Sequence, residues 1–145
     1  MLLTLLTVAL TAQEIQHIQP KGISPSPAYS HVVTAKGGKT IWISGQVSQH
    51  ANGEVVGKGD LKVQLTQVYE NLKLALAGAG ATFKDVVKVN TYIVNYKPAM
   101  RADVREVRAK FMGAVDPPAS TLVGVQALAS DDYLVEIEMT AVVRQ

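Results

Sequence analysis

The chain has 145 residues, 48% of them hydrophobic and 18% charged, with a formal net charge of +2 and no cysteine. That length suits one domain with a real core, and that balance excludes a disordered chain. Near-neutral charge argues against a nucleic-acid or acidic-membrane surface, and the lack of thiols excludes disulfides, thiolate nucleophiles and cysteine zinc sites.

Met1 to Ala12 is an apolar run without charged side chains, followed by Gln13 and Glu14. It is too short for a membrane-spanning helix, which takes about 20 residues. Residues 1–12 fit the hydrophobic region of a signal peptide cleaved near Ala12, which predicts a periplasmic or secreted protein. The other reading is an N-terminal extension on a cytoplasmic protein. Residues 13–145 read as a single domain.

Ile23-Ser24-Pro25-Ser26-Pro27 is an extended loop, because a residue before proline avoids the α region. Tyr29 to Ala35 and Thr40 to Ser44 read as strands joined at Gly37-Gly38, which predicts a hairpin. Asn52-Gly53, Gly57 and Gly59 mark a loop. Asp60 is an N-cap for a helix whose apolar face is Leu61, Leu65, Val68, Leu72 and Leu76, closed at Gly78 and Gly80. Thr82-Phe83-Lys84-Asp85 has the spacing of a capping box. Val86 to Val94 is a strand. Met100, Val104, Val107 and Phe111 are spaced for a second helix, ended by Gly113. Pro117-Pro118 breaks the chain before two more strands, Ser120 to Ala127 and Leu134 to Val143.

This order predicts an α+β domain, one mixed sheet with both helices on one face. In the third strand Val87, Val89 and Ile93 fall on one side and Val86, Tyr92 and Val94 on the other. A half-apolar face is thus left uncovered, and its simplest partner is another copy of the chain, in a number the pattern leaves open.

His17, His31 and His50 form no metal-ligand motif, so no metal is expected. Ser44 lies outside a G-x-S-x-G elbow, which leaves it a ligand contact rather than a nucleophile. Gly78-Ala79-Gly80 closes a helix instead of opening one, so no dinucleotide cofactor is expected. Arg101, Arg105 and Arg108, interleaved with Asp103 and Glu106, read as a solvated, salt-bridged helix face. Glu136 and Glu138 share one strand face. Spacing alone favours two solvated carboxylates; the alternative is one acid at a cleft edge, positioned for proton transfer.

Several segments, in order, follow one family pattern: Pro27-Ala28-Tyr29-Ser30, Ile43-Ser44-Gly45-Gln46-Val47, Gln64 through Asn71-Leu72, Ala79-Gly80-Ala81, Asp85-Val86-Val87-Lys88-Val89, Pro118-Ala119-Ser120-Thr121 and Leu134-Val135-Glu136-Ile137-Glu138. From about Ile15 to Val143 the chain resembles the reactive intermediate deaminase (Rid or YjgF) family. The resemblance implies a chorismate-mutase-like fold (bacillus type) and a homotrimer with clefts between subunits. It implies hydrolysis of small reactive enamines and imines to a carbonyl compound and ammonia, without metal or organic cofactor. Residue by residue, it implies that Tyr29 shapes the pocket, Ser44 and Gly45 line it, the backbone at Leu122 contributes polar groups, and Glu136 holds or activates water.

One position departs from the pattern. Family members with the activity carry a carboxylate-binding arginine where this chain has Ser120. A serine offers one neutral hydrogen bond in place of a charged, bidentate pair. The expectation is therefore an imine deaminase whose activity is lost or redirected to less anionic substrates. The alternative is a non-catalytic trimeric module that binds or senses a small metabolite.

Overall fold

The structure, a computed structural model, describes residues 13–113 and 115–144. The signal-peptide reading of residues 1–12 lies outside the described residues. Among those described, no helix is long and apolar enough to cross a membrane.

Among the described residues, six strands and two α-helices follow one another as β1 (Glu14–Ile18), β2 (Val32–Lys36), β3 (Lys39–Gln46), α1 (Leu61–Gly78), β4 (Val86–Val94), α2 (Arg101–Met112), β5 (Ala119–Val125) and β6 (Val135–Val143). The main sheet has four strands in the order β3-β6-β4-β5, and β1 and β2 form a separate antiparallel pair. Among the described strands of the main sheet only β4 and β5 pair in parallel, and α2 makes the crossover between them. Both helices lie on one face, as the element order predicts. Their buried residues meet Ile41 and Ile43 of β3, Val89 and Ile93 of β4, and Val135, Ile137, Met139 and Ala141 of β6.

The helices start and stop where local chemistry directs. The Asp60 carboxylate accepts the Val63 amide at 3.0 Å, which satisfies one of the orphan donors of α1. The Thr82 capping box also forms: Asp85 Oδ2 accepts the Thr82 amide at 2.8 Å, and Thr82 Oγ1 accepts the Lys84 amide at 3.3 Å. Tyr69 of α1 stacks on Phe111 of α2 with centroids 5.2 Å apart, and Phe83 closes on both rings. Gln64 is fully buried. Its amide donates to the Gly57 and Asp132 carbonyls and its oxygen accepts the Leu134 amide at 2.8 Å, tying α1 to the entry of β6.

Two expectations need correction. The Gly37-Gly38 turn does connect β2 to β3, but the two strands do not pair as a hairpin. β2 pairs with β1 and β3 with β6. Ile41 and Ile43 draw β3 into the main core, whereas β2 has no buried row to bring it there. Gly38 has φ +81°, and a Cβ there would stand 2.5 Å from the Val143 carbonyl oxygen. The second correction concerns β4. Val86 pairs with Ala141 and Lys88 with Thr140, so Val87 is an extra residue in a bulge. The bulge shifts the side-chain parity, and Val86 joins Val89 and Ile93 in the core. The uncovered face is consequently more polar than alternation alone suggests. It carries Lys88, Asn90, Tyr92, Glu136, Glu138 and Thr140, with Trp42 78% exposed at its β3 side.

Candidate active site

The residues expected at the site fall on opposite faces of the main sheet. On the helix-facing side, Ser120 and Leu122 of β5 stand level with the core residues Val89 and Thr91 of β4. Both line a cavity of about 560 Å³ roofed by α2, and Tyr29 closes one wall. On the other side, Glu136 stands opposite Tyr92 and Glu138 opposite Asn90. Ser44 and Gly45 accompany them from β3.

The Tyr29 wall is pinned from several directions. The Ser30 amide donates to the Pro118 carbonyl at 3.2 Å, and the Ser30 hydroxyl to the Pro117 carbonyl at 2.6 Å. His17 Nδ1 lies 3.1 Å from the same Pro117 oxygen. Gln19 donates to the Tyr29 carbonyl at 2.9 Å. The His31 ring meets the Tyr29 ring edge-on at 5.2 Å, a packing role for this histidine. Opposite, Tyr96 follows the left-handed residue Asn95, whose φ is 50°. Tyr96 lies so close over Gly124 that a Cβ there would come within 2.9 Å of Tyr96 Cβ.

On the open face, two β3 residues, Ser44 and Gly45, oppose one β6 residue between the Ile43–Met139 and Gln46–Ile137 pairs. The Glu136 side chain lies directly on Gly45. A Cβ at position 45 would stand 2.6 Å from Glu136 Cδ and 2.8 Å from its Cγ. Gly45 is thus a close-approach glycine, and what approaches is the expected catalytic carboxylate. The two acids of β6, equivalent by spacing, differ in their partners. Glu138 Oε1 accepts from Asn90 at 2.7 Å and from the Tyr92 hydroxyl at 3.0 Å, which raises the Tyr92 pKa. Among the described residues, no side chain hydrogen-bonds Glu136.

The solvated, salt-bridged reading of the arginine stripe holds in part: Arg101 and Arg105 are exposed, Arg108 is half-buried, and among the described residues none of them pairs with the acids beside it. Asp103 and Glu106 turn to Lys62, at 3.9 and 2.6 Å, and Glu106 also to Lys110 at 3.0 Å. Arg101, Arg105 and Arg108 line the cavity instead. Arg108 Nη1 donates to Ser120 Oγ at 3.1 Å, and its Nη2 is buried without a hydrogen-bond partner. Burial pulls the Arg108 pKa down from its ordinary value, with only Tyr69 opposing the shift. Arg108 was missed because its carboxylate neighbours in sequence looked like its partners. Its i+7 spacing from Arg101 and i+4 spacing from Val104, a core residue, was the available signal.

Comparison with known proteins agrees with the motif pattern. The model of the family described as Endoribonuclease L-PSP matches residues 20–143. The chain belongs to this family, the Rid or YjgF group. It is 39% identical over 123 residues to a RutC family protein of Pyrococcus horikoshii, covering 84% of this chain and 90% of that one. It is 30% identical over 123 residues to a 2-iminobutanoate/2-iminopropanoate deaminase of Dermatophagoides farinae, covering 83% and 91%. The crystal structure of the conserved Rid family protein YyfB from Yersinia pestis superposes with a TM-score of 0.83 at 45% identity, covering 89% of this chain and 98% of that one. Two helices on one face of a mixed sheet are the chorismate-mutase-like fold of this family.

Proposed function

We propose that the protein hydrolyses small reactive imines and enamines to a carbonyl compound and ammonia, in a homotrimer whose sites form between copies of the chain. The observation that carries this reading is the contrast between the two β6 carboxylates. Glu138 is engaged by Asn90 and Tyr92, while Glu136 is set on Gly45 with its oxygens left for another partner. The deaminase activity named for the Dermatophagoides relative supports it. A carboxylate on the open face and a cavity on the helix-facing side cannot converge on one substrate within a single chain. A neighbouring copy that brings its Glu136 to the rim of this cavity joins the two halves.

The chemistry asks little of the protein. A protonated imine is already electrophilic at carbon. Glu136 accepts a proton from water as its oxygen bonds to that carbon, giving a carbinolamine. The same carboxyl then returns that proton to nitrogen, and as the C–N bond breaks the hydroxyl proton passes through the carboxylate to the departing ammonia, so protonated imine plus water becomes carbonyl plus ammonium. The chain contributes position and a proton relay, with no metal or organic cofactor. The second reading, a trimeric module that binds a metabolite without turnover, is favoured by Ser120 standing at the family's arginine position. Ammonia release decides between them.

Subunit mixing tests the shared site. Glu136→Gln abolishes the acid of one half, and Leu122→Trp fills the cavity of the other. Each variant alone should be inactive. Unfolded together and reassembled, they should recover about a quarter of the wild-type rate, because one site in four combines two intact halves. Mixtures as inactive as either parent would overturn the shared site.

A further inference from the structure

The cavity beneath α2 carries positive charge that no acid answers. Arg101, Arg105 and Arg108 recur at i, i+4 and i+7, so they share one side of the helix. All of them line the cavity, and its described lining includes no Asp or Glu. The acids of the same helix are committed to Lys62 and Lys110. Arg108 is the half-buried member, with its Nη2 out of reach of solvent. A guanidinium has five N–H donors. Among the described residues, Arg108 meets one neutral acceptor, the Ser120 hydroxyl. Its Nη2 has no hydrogen-bond partner. A guanidinium nitrogen taken out of water without an acceptor is a costly arrangement. An apolar side chain would pack better beside Val104, Met112 and Leu122. The site is built as though a ligand brings the missing negative charge.

We propose that this cavity binds a small carboxylate through Arg108, so that the charged clamp absent from strand position 120 is supplied by the neighbouring helix. Ser120 then has a role of its own. It accepts from Arg108 Nη1, which leaves its own hydroxyl proton free to donate to the same carboxylate. Val104, Met112 and Leu122 offer the apolar wall for a short aliphatic tail. Arg101 and Arg105, more exposed, draw anions to the mouth. The identity of the ligand as a 2-imino or 2-oxo acid rests on the hydrolase reading; the binding of a carboxylate does not. A reader of position 120 alone would expect Ser120→Arg to restore affinity. Here it would set a second guanidinium against the first and weaken binding.

The test is calorimetric titration with 2-oxobutanoate and with its uncharged isostere 2-oxobutanamide. Wild type should bind the acid and not the amide. Arg108→Met should lose at least about 10-fold in affinity for the acid, the scale of truncating a buried charge contact. The ligand-free Tm of Arg108→Met should rise or hold, because a half-buried guanidinium with an unpartnered nitrogen has become an apolar chain. Ser120→Arg should bind more weakly than wild type, and Arg108→Met/Ser120→Arg should regain the acid. Equal binding of acid and amide by wild type, or acid binding by Arg108→Met within 2-fold of wild type, overturns the proposal. Ammonia release reports separately. Turnover absent in wild type while Arg108→Met loses the acid removes the hydrolase reading and leaves the clamp. Turnover and acid binding both untouched in Arg108→Met remove the clamp and leave the hydrolase.

Discussion

Adding one methyl group at Gly45 should disable the site by displacing the Glu136 carboxylate. Position 45 has an unexceptional backbone, so alanine is not excluded by φ. It is excluded by Glu136, whose Cδ and Cγ lie 2.6 and 2.8 Å from where the new carbon must go. Ordinary contact begins near 3.4 Å, so Cδ must retreat by close to 1 Å, and its oxygen further still. A displacement of about 1 Å in a positioning group costs roughly 10²-fold in rate. The main sheet pairing of β3 with β6 survives, because the new methyl meets a side chain and not backbone. Gly45→Ala should therefore fold and assemble as wild type, yet release ammonia about 100-fold more slowly from an imine generated in situ by an amino-acid oxidase. Glu136→Gln fixes the floor, and the double variant should be no slower than Glu136→Gln alone, since both changes act through one carboxylate. Wild-type turnover in a folded Gly45→Ala protein would refute the placement of Glu136 at the chemistry.

Gln64→Met keeps the volume but orphans the Asp132 carbonyl and the Leu134 amide. Together these should cost about 3 kcal/mol and about 10 °C in Tm by calorimetry at matched concentration; a loss below about 1 kcal/mol would sink the assigned role. Burial raises the Tyr69 pKa to about 12, partly countered by Arg108, so the folded state resists ionisation that the unfolded chain undergoes near pH 10. Stability is unaffected below that pH and declines from about pH 10 to 12, by up to roughly 3 kcal/mol. Urea midpoints across that range should show Tyr69→Phe with a shallower alkaline slope, and identical slopes would contradict it. The sole tryptophan, Trp42, is 78% exposed on the open face. Its burial between copies should contribute about 3 kcal/mol per copy. Trp42→Glu should then convert a trimer to monomers by sedimentation, with loss of turnover; an unchanged trimer excludes this face as the interface.

What was legible in the sequence was what local chemistry decides. Asp60 and Thr82 cap because a side-chain oxygen sits the right distance from orphan amides, and that spacing is visible in the letters. Gly45 was legible as a pocket residue through the resemblance, though not as the place where the Glu136 side chain rests. The Val87 bulge was invisible because valine suits either parity of a strand; the shift is set by pairing with β6. β1 was missed because Glu14 to Ile18 is short and half polar, and it becomes a strand only through β2. Glu136 and Glu138 were indistinguishable until Asn90 and Tyr92, on another strand, claimed one of them. Arg108 was misread for a similar reason. The lysine that takes Asp103 and Glu106 away from it, Lys62, lies on α1, some forty residues earlier.

The Arg108–Ser120 hydrogen bond has a bearing on how such proteins are compared. It joins a residue of α2 to a residue of β5, so a charge that stands over the cavity floor need not be carried by the strand that forms that floor. An arrangement of this kind leaves no trace at any single position of the sequence, and its record is kept instead in the volume that two neighbouring elements enclose.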